Sequence, residues 1–137
     1  MLAVGLWLAA LTGYDIAARR LPNLLTVPGA ALILVWAAAG GRGWPAVAGA
    51  AALFGVYLLI HLAAPADLGA GDVKLALGLG ALTGAFGVDV WTLAALGAPL
   101  LTAVWTLAAR ACGRRDPVPH GPAMCASTAA ALALVLV

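Results

Sequence analysis

Long apolar stretches, interrupted at short intervals by glycine, proline and charge, run through this chain and predict a succession of helices. A helix that crosses a bilayer needs about 20 predominantly apolar residues, with a range of roughly 17–25. Reading the interruptions as punctuation gives six such segments. The first runs from Met1 to about Ala18 and stops at Arg19-Arg20-Leu21-Pro22-Asn23, where proline removes a donor and disfavours helix in the residue before it. The second covers about Leu24–Ala39 and ends at Gly40-Gly41-Arg42-Gly43. The third begins near Trp44-Pro45, with proline suited to a first turn, and ends about Ala64-Pro65. A loop of Ala66 to Gly71 leads to the fourth, about Asp72–Val88, followed by the fifth, about Val90–Ala109. A polar segment, Arg110 to Pro117, precedes the sixth, about Pro119–Val137. The second and fourth are short for a full crossing, so five helices with one re-entrant segment is the alternative.

Composition moves the picture from helices to a membrane. Of 137 residues, 65% are hydrophobic and 9% charged, and the mean hydropathy is +1.09. Soluble domains carry roughly 25% charged residues, and this chain cannot supply the polar surface that one requires. The expected fold is therefore an all-α, polytopic integral membrane bundle forming a single domain over residues 1–137. An apolar N-terminus without a basic leader reads as a first spanning helix rather than a signal peptide.

Charge adds an orientation. Arg19, Arg20, Lys74, Arg110, Arg114 and Arg115 all fall on one side of a six-helix arrangement, and Arg42 alone falls on the other. Basic residues mark the cytoplasmic side, which leaves both termini outside. The net charge of +2 and the scatter of the basic residues exclude a nucleic-acid partner. Cys112 and Cys125 have neither zinc nor disulfide-framework spacing and read as small apolar residues.

Two acids stand out. Asp15 lies at the cytoplasmic end of the first helix and Asp72 at the cytoplasmic start of the fourth. The two helices run in opposite directions, so helix parity alone sets both carboxylates at one depth. Ionisable residues in spanning segments are costly and mark function. Taken singly, Asp15 could pair with Arg19 four positions on, and Asp72 could cap its helix. Around Asp72, Gly69 and Gly71 admit another chain closely. Ala76, Gly80 and Gly84 continue on the same helix face. That face suits close helix packing or a shallow groove for a substrate helix. Lys74 reads as an interfacial anchor or a support for the acid pair. His61 and His120 read as helix-end side chains reaching the interface, and Asp67 and Asp89 as solvated.

Two carboxyls a few ångström apart do not both ionise cheaply, so one keeps its proton where the other has lost it. The ionised partner takes a proton from water while the neutral one polarises a carbonyl. Such a pair hydrolyses an amide without metal, cofactor or covalent intermediate. Ser127 is the only serine and lies within the sixth segment, and no carboxylate–histidine cluster suggests a metal site.

Three segments resemble the type IV prepilin peptidases, members of the GxGD group of membrane aspartic proteases. They are Gly13-Tyr14-Asp15 with Arg19-Arg20-Leu21-Pro22-Asn23, then Gly69-Ala70-Gly71-Asp72-Val73-Lys74-Leu75, and Val118-Pro119-His120-Gly121-Pro122. The resemblance implies Asp15 and Asp72 as the catalytic pair, with Gly69 and Gly71 shaping the approach of substrate. It also implies cleavage at the cytoplasmic face of the inner membrane. The implied partners, besides the bilayer, are prepilins, pseudopilins or Flp-type pilins held by an N-terminal transmembrane helix. His120 stands where the family usually has phenylalanine. The cysteine-rich domain of the larger members is not present in the chain, so a minimal, protease-only form without N-methylation is expected. The alternatives are a GxGD-type protease of other membrane substrates and a non-catalytic scaffold or transporter whose aspartates pair with Arg19 and Lys74.

Overall fold

A computed structural model describes residues 2–137. Met1, where the first helix is expected to begin, lies outside the described residues. The described residues form six helices and no strand: α1 (Leu2–Ala18), α2 (Asn23–Ala39), α3 (Gly43–Ala63), α4 (Ala70–Phe86), α5 (Val88–Ala111) and α6 (Gly121–Leu136). The count of six agrees with the number of segments expected.

Backbone chemistry sets the breaks. α1 ends where Arg19 takes a left-handed φ of 48°, the conformation that commonly closes a helix. Pro22 is extended (φ −66°, ψ 134°) and caps α2. Gly87 ends α4 and caps α5 at φ 120°, ψ 166°, a region closed to residues with a side chain. One glycine thus makes the whole connection, which is why α4 stops at Phe86 and α5 starts at Val88, earlier than the apolar pattern suggests.

α4 is the centre of the bundle, in contact with α2, α3, α5 and α6. Eleven of its 17 residues are buried, and it carries none of the large exposed apolar side chains. Those belong to the other five helices, for example Leu6, Leu32, Leu59, Leu100 and Leu134. Such an apolar exterior on every outer helix is what lipid, not water, requires. α3 and α5 are long and apolar enough to cross a membrane, while α1, α2 and α6 are shorter apolar helices of 16 or 17 residues. α4 escapes that demand because protein surrounds it.

Small residues bring α3 and α4 together. A Cβ on Gly80 would stand 2.5 Å from the Gly49 carbonyl oxygen and 3.0 Å from the Ala50 Cα. One on Gly84 would stand 2.6 Å from the Pro45 carbonyl oxygen. The contact is backbone against backbone, and the Trp91 indole of α5 donates to the Gly49 carbonyl at 3.0 Å beside it. On the other flank, the Trp7 indole fills the space left by Gly29 and Gly78 and donates to the Leu25 carbonyl at 2.9 Å.

Candidate active site

The last turns of α1 and α3 and the first turns of α4 and α6 meet at one end of the bundle. Asp15, in the last turn of α1, is 7% exposed and points inward, whereas Arg19 is exposed. Its carboxylate accepts a hydrogen bond from the Gly121 backbone amide. That amide opens α6 and has no partner within its own helix. An acid from one helix thus caps another, where the helix dipole favours negative charge. A Cβ on Gly121 would collide with the Asp15 carboxylate.

Asp72 is not the cap of α4. Gly69 holds that position in extended conformation (φ −72°, ψ 149°), and Asp72 sits three residues inside. Its carboxylate reaches back to the Gly69 amide, the acidic half of a capping box. The charges of Asp15 and Asp72 bear on one another across the gap between α1 and α4.

The first two motifs are also tied to each other. A Cβ on Gly71 would press at 3.3 Å on the Leu21 Cβ, so the Leu21-Pro22-Asn23 turn rests on the glycine. Lys74 donates to the Asn23 side-chain oxygen at 2.9 Å, an exposed bond that bypasses both acids. His61 Nδ1 donates to the Leu68 carbonyl at 2.6 Å and holds the loop that carries Gly69.

His120 is not an interfacial side chain. Its Nε2 is 2.8 Å from the Tyr57 hydroxyl of α3 and its Nδ1 is 2.6 Å from the Thr102 hydroxyl of α5. Tyr57 is buried and within reach of the Asp72 charge. Cys125, one turn along α6 from Gly121, is buried where both aspartates are felt. Beside this group a cleft of about 450 Å³ opens between α3 and α5, apolar except near Tyr57, Thr92 and His120.

The family model for type IV leader peptidases matches residues 2–107 of this chain. The chain belongs to the type IV leader peptidase family. No curated protein and no solved structure matches it. Membership points to a protease and, with the apolar helices, to a membrane protein. The match takes in Asp15, Asp72 and the whole of α4, and stops within α5, before His120 and Gly121.

In this leader peptidase family member one expectation needs correction. Gly80 and Gly84 do not line an open groove for substrate, because α3 of the same chain occupies that face down to van der Waals contact. Ala76 is fully buried with them. The cleft between α3 and α5 is lined by Tyr57 and His120 but by neither acid. Asp67 and Asp89 are exposed. Gly121, Tyr57 and Thr102 escaped the sequence reading. For Gly121 the signal existed in the Pro-His-Gly-Pro turn. Nothing in the sequence singles out Tyr57 or Thr102.

Proposed function

We propose that the chain is an aspartic endopeptidase that removes the N-terminal leader of type IV prepilins, pseudopilins or Flp-type pilins. In this reading all six helices span the inner membrane as one domain, with both termini outside and the acids at the cytoplasmic face. The pilin is held in the bilayer by its own apolar helix. The observation that carries the reading is that Asp15, at the end of α1, and Asp72, at the start of α4, lie at the same end of the bundle, where Leu21 of the first motif packs on Gly71 of the second. The basic residues Arg19, Arg20, Arg114 and Arg115 in the loops at that end, with Arg110 in the last turn of α5, support the cytoplasmic assignment.

The chemistry follows from one shared proton. The ionised carboxylate removes a proton from a water whose oxygen bonds to the scissile carbonyl carbon. The protonated carboxyl gives its proton to the carbonyl oxygen, and a neutral tetrahedral diol results. The carboxyl that took the water's proton passes it to the amide nitrogen, the C–N bond breaks as a diol hydroxyl gives its proton to the other carboxylate, and the leader leaves with a new carboxyl group. Gly69 and Gly121 each hold one acid through a backbone amide, leaving its other oxygen lone pairs for water and substrate. Gly71 and Lys74 act at one remove, by seating the Leu21–Asn23 turn.

Asp15→Asn and Asp72→Asn test this. Each substitution is expected to lower leader removal from a co-expressed pilin by at least ~10²-fold, the scale of general acid–base catalysis. Loss of the leader is read as a mobility shift, and both proteins should still insert. Normal processing by either variant would sink the two-aspartate mechanism. A non-catalytic scaffold instead predicts no cleavage by the wild type.

A further inference from the structure

His120 touches both α3 and α5 while standing next to the Gly121 amide, and its hydrogen bonds fix its protonation. The Thr102 hydroxyl has a single proton and donates it to the Ala98 carbonyl at 3.0 Å. Towards His120 Nδ1, at 2.6 Å, the Thr102 oxygen is therefore an acceptor, and Nδ1 carries a proton. In a neutral ring Nε2 is then bare, and at 2.8 Å it accepts the Tyr57 hydroxyl proton. Burial pushes the imidazole pKa below its ordinary value, in keeping with a neutral ring.

The direction of these bonds bears on the acids. Tyr57 spends its only proton on His120 and so holds the ring against α3. The ring is also anchored at both nitrogens, which fixes the peptide leading into Gly121, the amide that holds Asp15. We propose that His120 is a positioning residue, locked as its Nδ1–H tautomer between Thr102 and Tyr57, that orients the Gly121 amide for Asp15. The inference rests on the endopeptidase reading and deepens it, because it names what keeps the acid pair aligned without touching substrate.

The chain has two histidines, so a sample labelled with ¹⁵N-histidine gives two sets of ring signals, one of which disappears in His120→Phe. In the wild type that set is expected to show a protonated Nδ1 and an unprotonated Nε2. An Nε2–H or doubly protonated ring overturns the inference, and this measurement is independent of proteolysis. Kinetically, His120→Phe keeps the ring volume and loses both bonds. It is expected to lower kcat for leader cleavage by ~10-fold or more with little change in KM, since misaligned groups cost turnover. His120→Gln retains an acceptor for Tyr57 and should recover part of that loss. Thr102→Val removes the acceptor of the Nδ1 proton and should lower kcat in the same direction, which keeps the test open if His120→Phe does not fold. Wild-type kcat in a folded His120→Phe or Thr102→Val overturns the positioning role. Normal cleavage by Asp15→Asn or Asp72→Asn alongside overturns the underlying endopeptidase reading.

Discussion

Gly121→Ala separates alignment from folding. The added methyl would overlap the Asp15 Oδ2 and lie 3.0 Å from its Cγ and 3.4 Å from its Cβ. Every one of these atoms belongs to a side chain that can rotate, so the bundle has no need to open. The folded state loses one hydrogen bond to a charged group, about 1.5–3 kcal/mol at most, with an off-rotamer cost of about 1 kcal/mol. Relief by water at the half-open site lowers the total. The acid itself, however, is displaced by roughly 1 Å, and misplacement on that scale costs about 10²-fold in rate. Gly80→Ala is the contrasting case. There the methyl meets the Gly49 carbonyl at 2.5 Å and the Ala50 Cα at 3.0 Å, backbone that cannot rotate aside. α3 must shift off α4, a strain of about 1–3 kcal/mol or more. Unfolding in detergent and leader cleavage by the surviving folded protein should therefore rank the two variants in opposite order. Gly121→Ala is the less active and the more stable. Wild-type turnover by Gly121→Ala, or unfolding as easy as that of Gly80→Ala, would refute the account of Gly121 as the seat of Asp15.

Two further outcomes follow. Lys74→Met removes the bond to Asn23, which is exposed, so stability should fall by no more than about 1 kcal/mol in an unfolding titration and cleavage should persist; a loss as deep as that of Asp72→Asn would put Lys74 in the chemistry. Chelators should leave cleavage unchanged, because two carboxyls and a water complete the proposed reaction, and inhibition by EDTA that added zinc or magnesium reverses would contradict it.

The helices were legible because their ends are written in residues with strong local preferences. Pro22 and Gly40 act through their own backbones, and although the apolar pattern runs on through Gly87, the expected boundaries fall within about two residues of those observed, the usual ambiguity of helix ends. Parity was equally legible: with six helices, Asp15 and Asp72 had to share an end. What depends on distant partners was not. Gly80 and Gly84 look alike whether the neighbour is a substrate or α3, since small residues signal close approach without naming what approaches. Asp72 looked like a cap because aspartate suits that position, but the extended backbone of Gly69 starts α4 earlier. His120 looked like any helix-end histidine, and only the folded chain sets Tyr57 and Thr102 against its two nitrogens.

The glycine seam between α3 and α4 has a mechanical consequence. Backbone locked on backbone makes those two helices one stiff block, and Asp72 is carried by it. Asp15 belongs to a different block, since α1 packs on α6 and, less extensively, on α2, with no backbone contact to α4. The spacing of the acids is thus not built into any single element. It is set by how far the two blocks have slid past one another, a shear that packed helices permit at small cost. The distance between the carboxylates therefore answers to the sliding of whole helices while the seam stays shut, and not to the bending of any one of them.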